Sequence, residues 1–108
     1  MNIRDRTKFS IITVTRNDLS GLEKTYESIM SLQNSCYEWI VIDGNSLDFT
    51  VNYLESLESM DSLELKWVSE PDLGIYDAMN KGIGLASGDY IIFMNAGDIF
   101  SDHFVLKS

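Results

Sequence analysis

Four short apolar runs alternate with segments of helical periodicity along this chain of 108 residues. Three of the runs are rich in β-branched residues without a helical stripe, and the remaining one alternates with charged residues, so all four predict strands. Between them, apolar residues recur every three or four positions, which predicts amphipathic helices. The predicted strands are 9–15, 37–42, 63–68 and 90–94. The predicted helices run from an N-cap at Asn17, Asp18 or Ser20 to about Leu32, from Asp48 to about Glu58, and from Ile75 to Ala86.

The β-α-β-α-β-α-β alternation predicts an α/β fold with a doubly wound, mostly parallel sheet and right-handed crossovers. In the third helix, the residues expected to face the sheet are Ile75, Ala78 or Met79, Ile83 and Ala86. Gly82 and Gly84 each cost this helix about 1 kcal/mol relative to Ala, which favours a close approach to a strand over a close approach to a ligand. The last strand is predicted to be buried.

The charge balance limits the possible partners. Seventeen acidic and eight basic residues give a formal net charge of -9. Nucleic acid is therefore excluded as a partner, because its binding depends on Lys and Arg. An anionic ligand would need a metal ion or backbone N–H groups. The single cysteine, Cys36, excludes an internal disulfide and a cysteine metal site, and is predicted to be a small apolar residue in or near the core.

The longest strongly apolar run, Ile91 to Met94, is too short to span a bilayer. We therefore expect no transmembrane segment. A cytoplasmic protein is predicted, with at most peripheral association at the inner face of the plasma membrane.

Polar residues follow each predicted strand. They are Thr15 to Asn17, Asp43 to Ser46, Glu70 to Gly74, and Asn95 to Asp98. Because the carboxyl ends of parallel strands meet at one edge of a sheet, these segments predict a ligand site there. Arg16 and Lys81 are the candidates for contact with phosphate.

Two acids at this edge each allow two interpretations. Asp43 can accept a hydrogen bond from a nucleobase or ribose, or it can be a turn residue before Gly44. Asp98 can bind Mg²⁺ or Mn²⁺, which take oxygen ligands, or it can cap a following helix. The residues alone leave both choices open. His103 is predicted to be a surface or capping residue.

Three segments carry a resemblance to a known family. They are Ser10–Asn17 (SIITVTRN), Ile40–Thr50 (IVIDGNSLDFT) and the long segment Glu70–Asp98. With these, the chain resembles the family 2 glycosyltransferases of GT-A fold, in particular bacterial enzymes that build colanic acid, capsule and O-antigen polysaccharides. The resemblance runs from Phe9 to about Phe100. The third segment is the most specific of the three.

The resemblance implies a site for a nucleotide-diphospho-sugar. Asp43 would contact the base, the backbone around Val14 and Thr15 would hold the nucleoside, and Asp98 would bind a divalent cation, Mn²⁺ or Mg²⁺, on the diphosphate. The full set of implied nucleotide-binding residues is Val14, Thr15, Asn17, Asp43, Asp72, Asn80, Lys81 and Asn95. Two positions depart from the family pattern: a single acid, Asp98, ends the metal motif, and Arg16 stands where many members have Tyr.

The resemblance also implies what is missing. Residues 1–108 correspond to the N-terminal, nucleotide-sugar-binding part of a GT-A domain, truncated before the acceptor-binding part. The expected function is inverting transfer of a sugar, with UDP-sugar as the expected donor, to a saccharide or lipid-linked saccharide acceptor. No residue here is assigned as the catalytic base. An uncovered sheet edge also leads us to expect self-association.

Alternatives to this function belong to other classes. One is a non-catalytic nucleotide-binding or interaction module, and another is an inactive truncated fragment. A phosphoacceptor signalling domain would need an acid pair after the first strand and a Lys after a fifth strand, and neither is present.

Overall fold

The computed structural model describes residues 8–32, 36–60 and 63–97. The four strands are β1 (Lys8–Thr15), β2 (Cys36–Asp43), β3 (Leu65–Ser69) and β4 (Tyr90–Phe93). The three helices between them are α1 (Leu19–Met30), α2 (Thr50–Glu58) and α3 (Ile75–Leu85). Every element predicted in this part of the chain is therefore confirmed, with bounds that shift by one or two residues.

The strands form one parallel sheet in the order β3-β2-β1-β4. β1 and β2 pair over their full length, from Lys8 opposite Cys36 to Thr15 opposite Asp43. Helices pack on both faces, which confirms the predicted doubly wound α/β fold. Within the described ranges, no helix has the length and apolar character needed to cross a bilayer.

The side chains of β1 and β2 alternate between two cores. Ile11, Trp39 and Val41 pack on one face with Leu22 of α1 and Leu54 of α2. On the other face, a smaller core joins the sheet to α3; its buried members are Ile12, Ile40, Ile42 and Ala78. Each side of the sheet therefore has its own helical layer.

An acid caps the first helix, as predicted, whereas the N-cap of α2 is Phe49 and the prediction of Asp48 as its cap was wrong. Asp18 is the N-cap of α1, where its Oδ1 accepts the N–H of Gly21 at 3.1 Å. Asp48 precedes α2, and its Oδ1 accepts the N–H of Thr50 at 3.0 Å. The hydrogen bond from the Thr50 hydroxyl is the main cause that lowers the pKa of Asp48.

The prediction that β4 is a buried strand was wrong. β4 lies at the edge of the sheet, and Ile91 and Phe93 are 40% and 42% exposed on the face that also carries α3. Ile75 and Ile83 of α3, predicted to face the sheet, are likewise about half exposed. The physical reason is that α3 packs against β1 and β2, so no layer within the described ranges covers β4 on this face.

The prediction for Cys36 was also wrong, because its side chain is exposed. Cys36 is the first residue of β2, paired with Lys8 at the amino edge of the sheet, and the strand becomes buried only from Glu38 onward. An apolar residue type at a strand end is thus not evidence of burial.

The two glycines of α3 have different surroundings. A Cβ at Gly82 would lie 2.5 Å from Cγ2 of Ile12, so the helix approaches β1 through this position. A Cβ at Gly84 would meet nothing within 4 Å. The predicted close packing is therefore confirmed for Gly82 and wrong for Gly84.

Substituting these glycines by alanine should have opposite effects. We expect Gly82→Ala to lower the free energy of unfolding by about 1–3 kcal/mol, because Ile12 is a buried, β-branched strand residue that cannot move aside. The matched variant Gly84→Ala should raise it by about 0.5–1 kcal/mol through helix propensity. Urea denaturation measures both, and equal effects of the two variants would contradict the role of Gly82.

A buried acid, Glu38, holds the amino edge of the sheet. Its Oε2 accepts hydrogen bonds from Ser10 Oγ at 2.6 Å and from the backbone N and the Oγ of Ser87 at 2.6 and 3.0 Å. Oε1 lies 2.9 Å from Lys66 Nζ in an ion pair whose geometry is not that of a hydrogen bond. Glu38 thereby links β1, β2 and β3 to the residues after α3.

Burial alone would raise the pKa of Glu38, but its hydrogen-bonding partners outweigh this effect and hold the pKa at about 2. Because this pKa lies below the unfolded value, the stabilisation is present above pH 4.5 and is lost as the pH falls toward 2.

We therefore expect Glu38→Gln to lower the free energy of unfolding by about 3 kcal/mol at pH 7. The difference from the wild type should shrink between pH 4.5 and 2. Urea denaturation across this range is the measurement. The control is Glu64→Gln, an exposed partner of Lys8, which should change stability by less than about 1 kcal/mol. A deficit for Glu38→Gln that is the same at pH 3 and pH 7 would refute the assignment.

Candidate functional site

The loops after β1, β2 and β3 lie side by side at the carboxyl edge of the sheet. Thr15 is opposite Asp43, and Asp43 is opposite Ser69, so three strand ends stand in one row. β4 ends on the other side of β1, where the N–H of Ala96 donates to the Val14 carbonyl at 3.2 Å. The predicted convergence is thus confirmed for the described residues of these segments, which do not include Asp98.

Asp43 is fully buried at the centre of this row. Its Oδ2 accepts the backbone N–H of Ser46 at 2.9 Å and the hydroxyl of Ser69 at 2.7 Å. Its Oδ1 accepts the hydroxyl of Ser46. The turn interpretation of Asp43 is therefore observed, while its contact with a base stays a prediction.

Asn17 joins the loop after β1 to the loop after β2. Its backbone N–H donates to Ser46 Oγ at 2.7 Å, and its Oδ1 accepts the N–H of Leu47 at 2.7 Å. Asn17 has a φ of 50° and Asn45 a φ of 62°, values in the left-handed region that Asn tolerates better than most residues. The two loops consequently form one hydrogen-bonded unit around Ser46.

Thr15 leaves a polar atom without a partner at this edge. The residue is only 7% exposed, and within the described ranges its Oγ1 makes no hydrogen bond. A buried hydroxyl of this kind is costly, by about 1–3 kcal/mol, unless something supplies the missing bond. This hydroxyl lies beside Asp43, at the strand ends where ligands bind in open parallel sheets.

Gly44 lies beneath side chains from two other loops. A Cβ at this position would lie 2.9 Å from Asp72 Oδ2 and 3.6 Å from Cδ of Arg16. Asp72 Oδ1 accepts the N–H of Gly74 at 3.1 Å, which fixes the carboxylate in the loop after β3. Arg16, Gly44 and Asp72 therefore meet at one point, each from a different strand end.

Lys81 is occupied by acids of the protein itself. Its Nζ lies 3.2 Å from Glu70 Oε1 and 3.5 Å from Asp77 Oδ2, and it donates to the Pro71 carbonyl at 2.9 Å. Desolvation alone would lower the pKa of Lys81. Glu70 and Asp77 raise the pKa by a larger amount, so it lies above its ordinary value. Lys81 thus ties the loop after β3 to α3, and its predicted contact with phosphate is untested.

Val14 and Asn95 lie on the other face of the sheet from Thr15. They border a pocket of about 180 Å³ between α3 and β4, whose complete lining is Ile12, Val14, Ile75, Met79, Phe93 and Asn95. Asn80 is exposed on α3, and its side chain makes no hydrogen bond within the described ranges. The structure thus divides the predicted nucleotide-binding residues between two faces of one edge.

The predicted metal ligand, Asp98, lies outside the described residues, as does His103. Among the residues that are described, no group of three His, Cys, Asp or Glu side chains is close enough to hold a metal ion. Asn95 offers an amide oxygen three positions before Asp98, just past the end of β4. These donors suit a hard cation that also takes oxygen ligands from a bound diphosphate.

Sequence reasoning missed the partners of Asp43. Ser69 can be recognised as a partner of Asp43 only once the strand register is known, because it ends β3 directly opposite Asp43. Ser46 was noted as part of a turn, but its role as donor to Asp43 and acceptor from Asn17 had no signal in the sequence. Serine is common in turns of every kind.

The fold agrees with comparisons to known proteins. The family described as Glycosyl transferase family 2 matches residues 10–107, and the chain belongs to this family. Its α/β sheet is the GT-A fold, as expected from the resemblance.

Two relatives illustrate the similarity. An uncharacterized glycosyltransferase of Mycobacterium tuberculosis is 46% identical over 93 residues, which cover 85% of this chain and 34% of the relative. A PGL/p-HBAD biosynthesis glycosyltransferase of Mycobacterium bovis is 33% identical over 90 residues, which cover 83% of this chain and 35% of the relative. The chain therefore spans about a third of the length of these curated relatives.

Solved structures with similar folds include a mannosyltransferase and S. aureus TarS. The mannosyltransferase PcManGT from Pyrobaculum calidifontis, in complex with GDP-Man and Mn²⁺, has a TM-score of 0.78 at 22% identity over 85% of this chain and 28% of that chain. S. aureus TarS 1-349 in complex with UDP-GlcNAc has a TM-score of 0.76 at 24% identity over 86% and 27%. At these identities the similarity concerns the fold.

Proposed function

We propose that the chain is the donor-binding part of a family 2 glycosyltransferase and holds a nucleotide-diphospho-sugar at the carboxyl edge of its sheet. The complete protein would transfer the sugar, with inversion, to a saccharide or lipid-linked saccharide acceptor. A UDP-sugar is the proposed donor, with a GDP-sugar as the second choice. The observation that carries this proposal is the unpartnered, buried hydroxyl of Thr15 beside Asp43.

The dimensions of the edge support an elongated ligand. Four strand ends in the order β3-β2-β1-β4 span about 14 Å, since neighbouring strands lie about 4.8 Å apart. We propose that the nucleoside lies over the ends of β3, β2 and β1, near Asp72, Asp43, Asn17 and Thr15. The diphosphate would then lie toward the end of β4, near Asn95.

We propose that Asp98 and Asn95 hold Mn²⁺ or Mg²⁺ together with oxygens of the diphosphate. The cation would supply positive charge at the diphosphate, which suits a chain of net charge -9. The chain's own residues bind and orient the donor. No described residue is proposed to deprotonate the acceptor.

Further properties of the complete protein are also proposals. They are a role in polysaccharide biosynthesis such as that of colanic acid, capsule or O-antigen, a cytoplasmic location, and peripheral association with the inner face of the plasma membrane. Self-association through the exposed residues Ile91 and Phe93 is proposed as well, and sedimentation at increasing concentration tests it. The alternative function, nucleotide binding without transfer, would show binding of the donor but no sugar transfer by the complete protein.

We predict that Thr15→Val separates ligand binding from stability. Valine keeps the shape of threonine, so the free energy of unfolding should not fall, because Oγ1 has no partner to lose. The affinity for UDP should fall by about fivefold, as expected for one hydrogen bond. Calorimetry with UDP and GDP, beside urea denaturation, measures both quantities.

The matched control is Thr13→Val, two residues earlier on the same strand face. Thr13 Oγ1 accepts Trp39 Nε1–H at 2.9 Å, so this variant should lose about 1 kcal/mol of stability and keep its nucleotide affinity. No heat with either nucleotide at millimolar concentration would defeat the donor site. A stability loss for Thr15→Val equal to that for Thr13→Val would mean that the Thr15 hydroxyl is structural.

Metal binding is predicted to depend on the nucleotide. Mn²⁺ should bind weakly to the chain alone and at least tenfold more tightly when UDP is present, because the diphosphate supplies part of the ligand set. Asp98→Asn should abolish this enhancement and leave the binding of uridine unchanged. Electron paramagnetic resonance of Mn²⁺ is the measurement, with Asp89→Asn at the opposite end of β4 as control. Tight Mn²⁺ binding without nucleotide would contradict the proposal.

A further inference from the structure

The turn after β4 leaves the sheet and is held by α1. The N–H of Ala96 still donates to the Val14 carbonyl of β1, at 3.2 Å. One residue later, the N–H of Gly97 donates to the Gly21 carbonyl of α1 at 2.9 Å. The backbone therefore passes from the sheet to the helix between these two residues.

Thr25 of α1 contacts both ends of this turn. Its Oγ1 accepts the N–H of Gly97 at 3.0 Å and donates to the Asn95 carbonyl at 3.5 Å, the longer of the two hydrogen bonds. The N–H of Gly97 is shared between Thr25 Oγ1 and the Gly21 carbonyl, a three-centre arrangement that proteins commonly use. One hydroxyl thus ties the turn from Asn95 to Gly97 to the helix.

Neither helix propensity nor packing accounts for the hydroxyl of Thr25. The residue is fully buried inside α1, where threonine is less favourable than alanine. A buried hydroxyl also costs free energy unless it forms hydrogen bonds. An apolar residue of the same size would fill this space without that cost, so the hydroxyl indicates that the bonds to the turn matter.

Gly97 has a backbone conformation that must be held in place. Its φ of 95° lies in the left-handed half of the map, which L side chains rarely adopt. The nearest atom to a Cβ added there would be the Cα of Gly21, at 3.9 Å, so glycine is required by the backbone rather than by lack of space. Asp98 is the next residue in the chain, and its backbone starts from this conformation.

We infer that Thr25 is a positioning residue for the proposed metal site. It holds the turn that joins the two proposed oxygen ligands, Asn95 and Asp98. Because Thr25 is fully buried, it acts through this turn and touches neither the metal nor the donor. The inference rests on the proposed function and adds to it a residue of α1, outside the strand ends. Residues that hold metal ligands from outside the ligand set commonly change metal affinity when they are replaced.

The binding of Mn²⁺ in the presence of UDP tests this role. Two matched pairs differ in the hydroxyl alone: the wild type with Thr25→Val, and Thr25→Ser with Thr25→Ala. Loss of the hydroxyl should weaken Mn²⁺ binding about tenfold within each pair, because the turn is no longer tied to α1. Uridine affinity should not change, because the nucleoside is proposed to bind at the ends of β3, β2 and β1. Electron paramagnetic resonance of Mn²⁺ and calorimetry with uridine are the measurements.

A control separates positioning from stability. Thr13→Val removes another buried hydroxyl, which bonds to Trp39 Nε1, so it should lower stability and leave Mn²⁺ binding unchanged. Urea denaturation gives the stability of every variant beside its Mn²⁺ affinity. If Thr25→Val does not fold, the pair Thr25→Ser and Thr25→Ala decides the question.

Two results would overturn the inference while leaving the proposed function intact. One is an Mn²⁺ affinity with UDP that is the same with and without the hydroxyl. The other is a loss that Thr13→Val shares, or that extends to uridine, since a general loss of stability would explain it. If UDP does not enhance Mn²⁺ binding to the wild-type chain, the proposed metal site fails first and this inference fails with it.

Discussion

The parallel pairing of β1 with β2 is the constraint on which the rest of this structure depends. It sets Thr15 opposite Asp43, and through Asp43 it aligns Ser69 of β3 in the same row. The loops that follow can then be joined by a few hydrogen bonds, of which those around Ser46 are the centre. Both cores are built on the same two strands, so the position of the loops is fixed by apolar packing rather than by the loops themselves.

The alternation of side chains along the strands divides the carboxyl edge into two environments. On the side of α1 and α2, Asp43 is buried and hydrogen-bonded to Ser46 and Ser69, while the buried hydroxyl of Thr15 has no partner within the described ranges. On the side of α3, Val14 and Asn95 border an apolar pocket that is open toward the β4 edge. A ligand laid across the strand ends therefore meets ordered polar groups at one end and a less covered, apolar region at the other.

The sequence was sufficient to predict the elements and their order, because the apolar runs of β1 and β2 and the spacing in the helices are strong local signals. It was insufficient where burial depends on a neighbour. Ile75, Ile83 and the residues of β4 have apolar side chains whether or not a layer covers them. At the site, Asp43 was recognisable as an acid at a strand end. Its burial depends on Ser46 and Ser69, and their hydrogen bonds follow from the three-dimensional register rather than from any local pattern.

β2 carries two buried acids, Glu38 near its start and Asp43 at its end, and the two point to opposite faces of the sheet. Glu38 is bonded on the face of α3, whereas Asp43 is bonded on the face of α1 and α2. The segment between them must therefore contain four residues, and these must also be apolar. An insertion or deletion of one residue in 39–42 would turn one of the acids to the wrong face, even if every apolar residue type were preserved. Segments exchanged between related proteins at this strand must therefore match in length to the single residue, a condition that the surrounding loops do not impose.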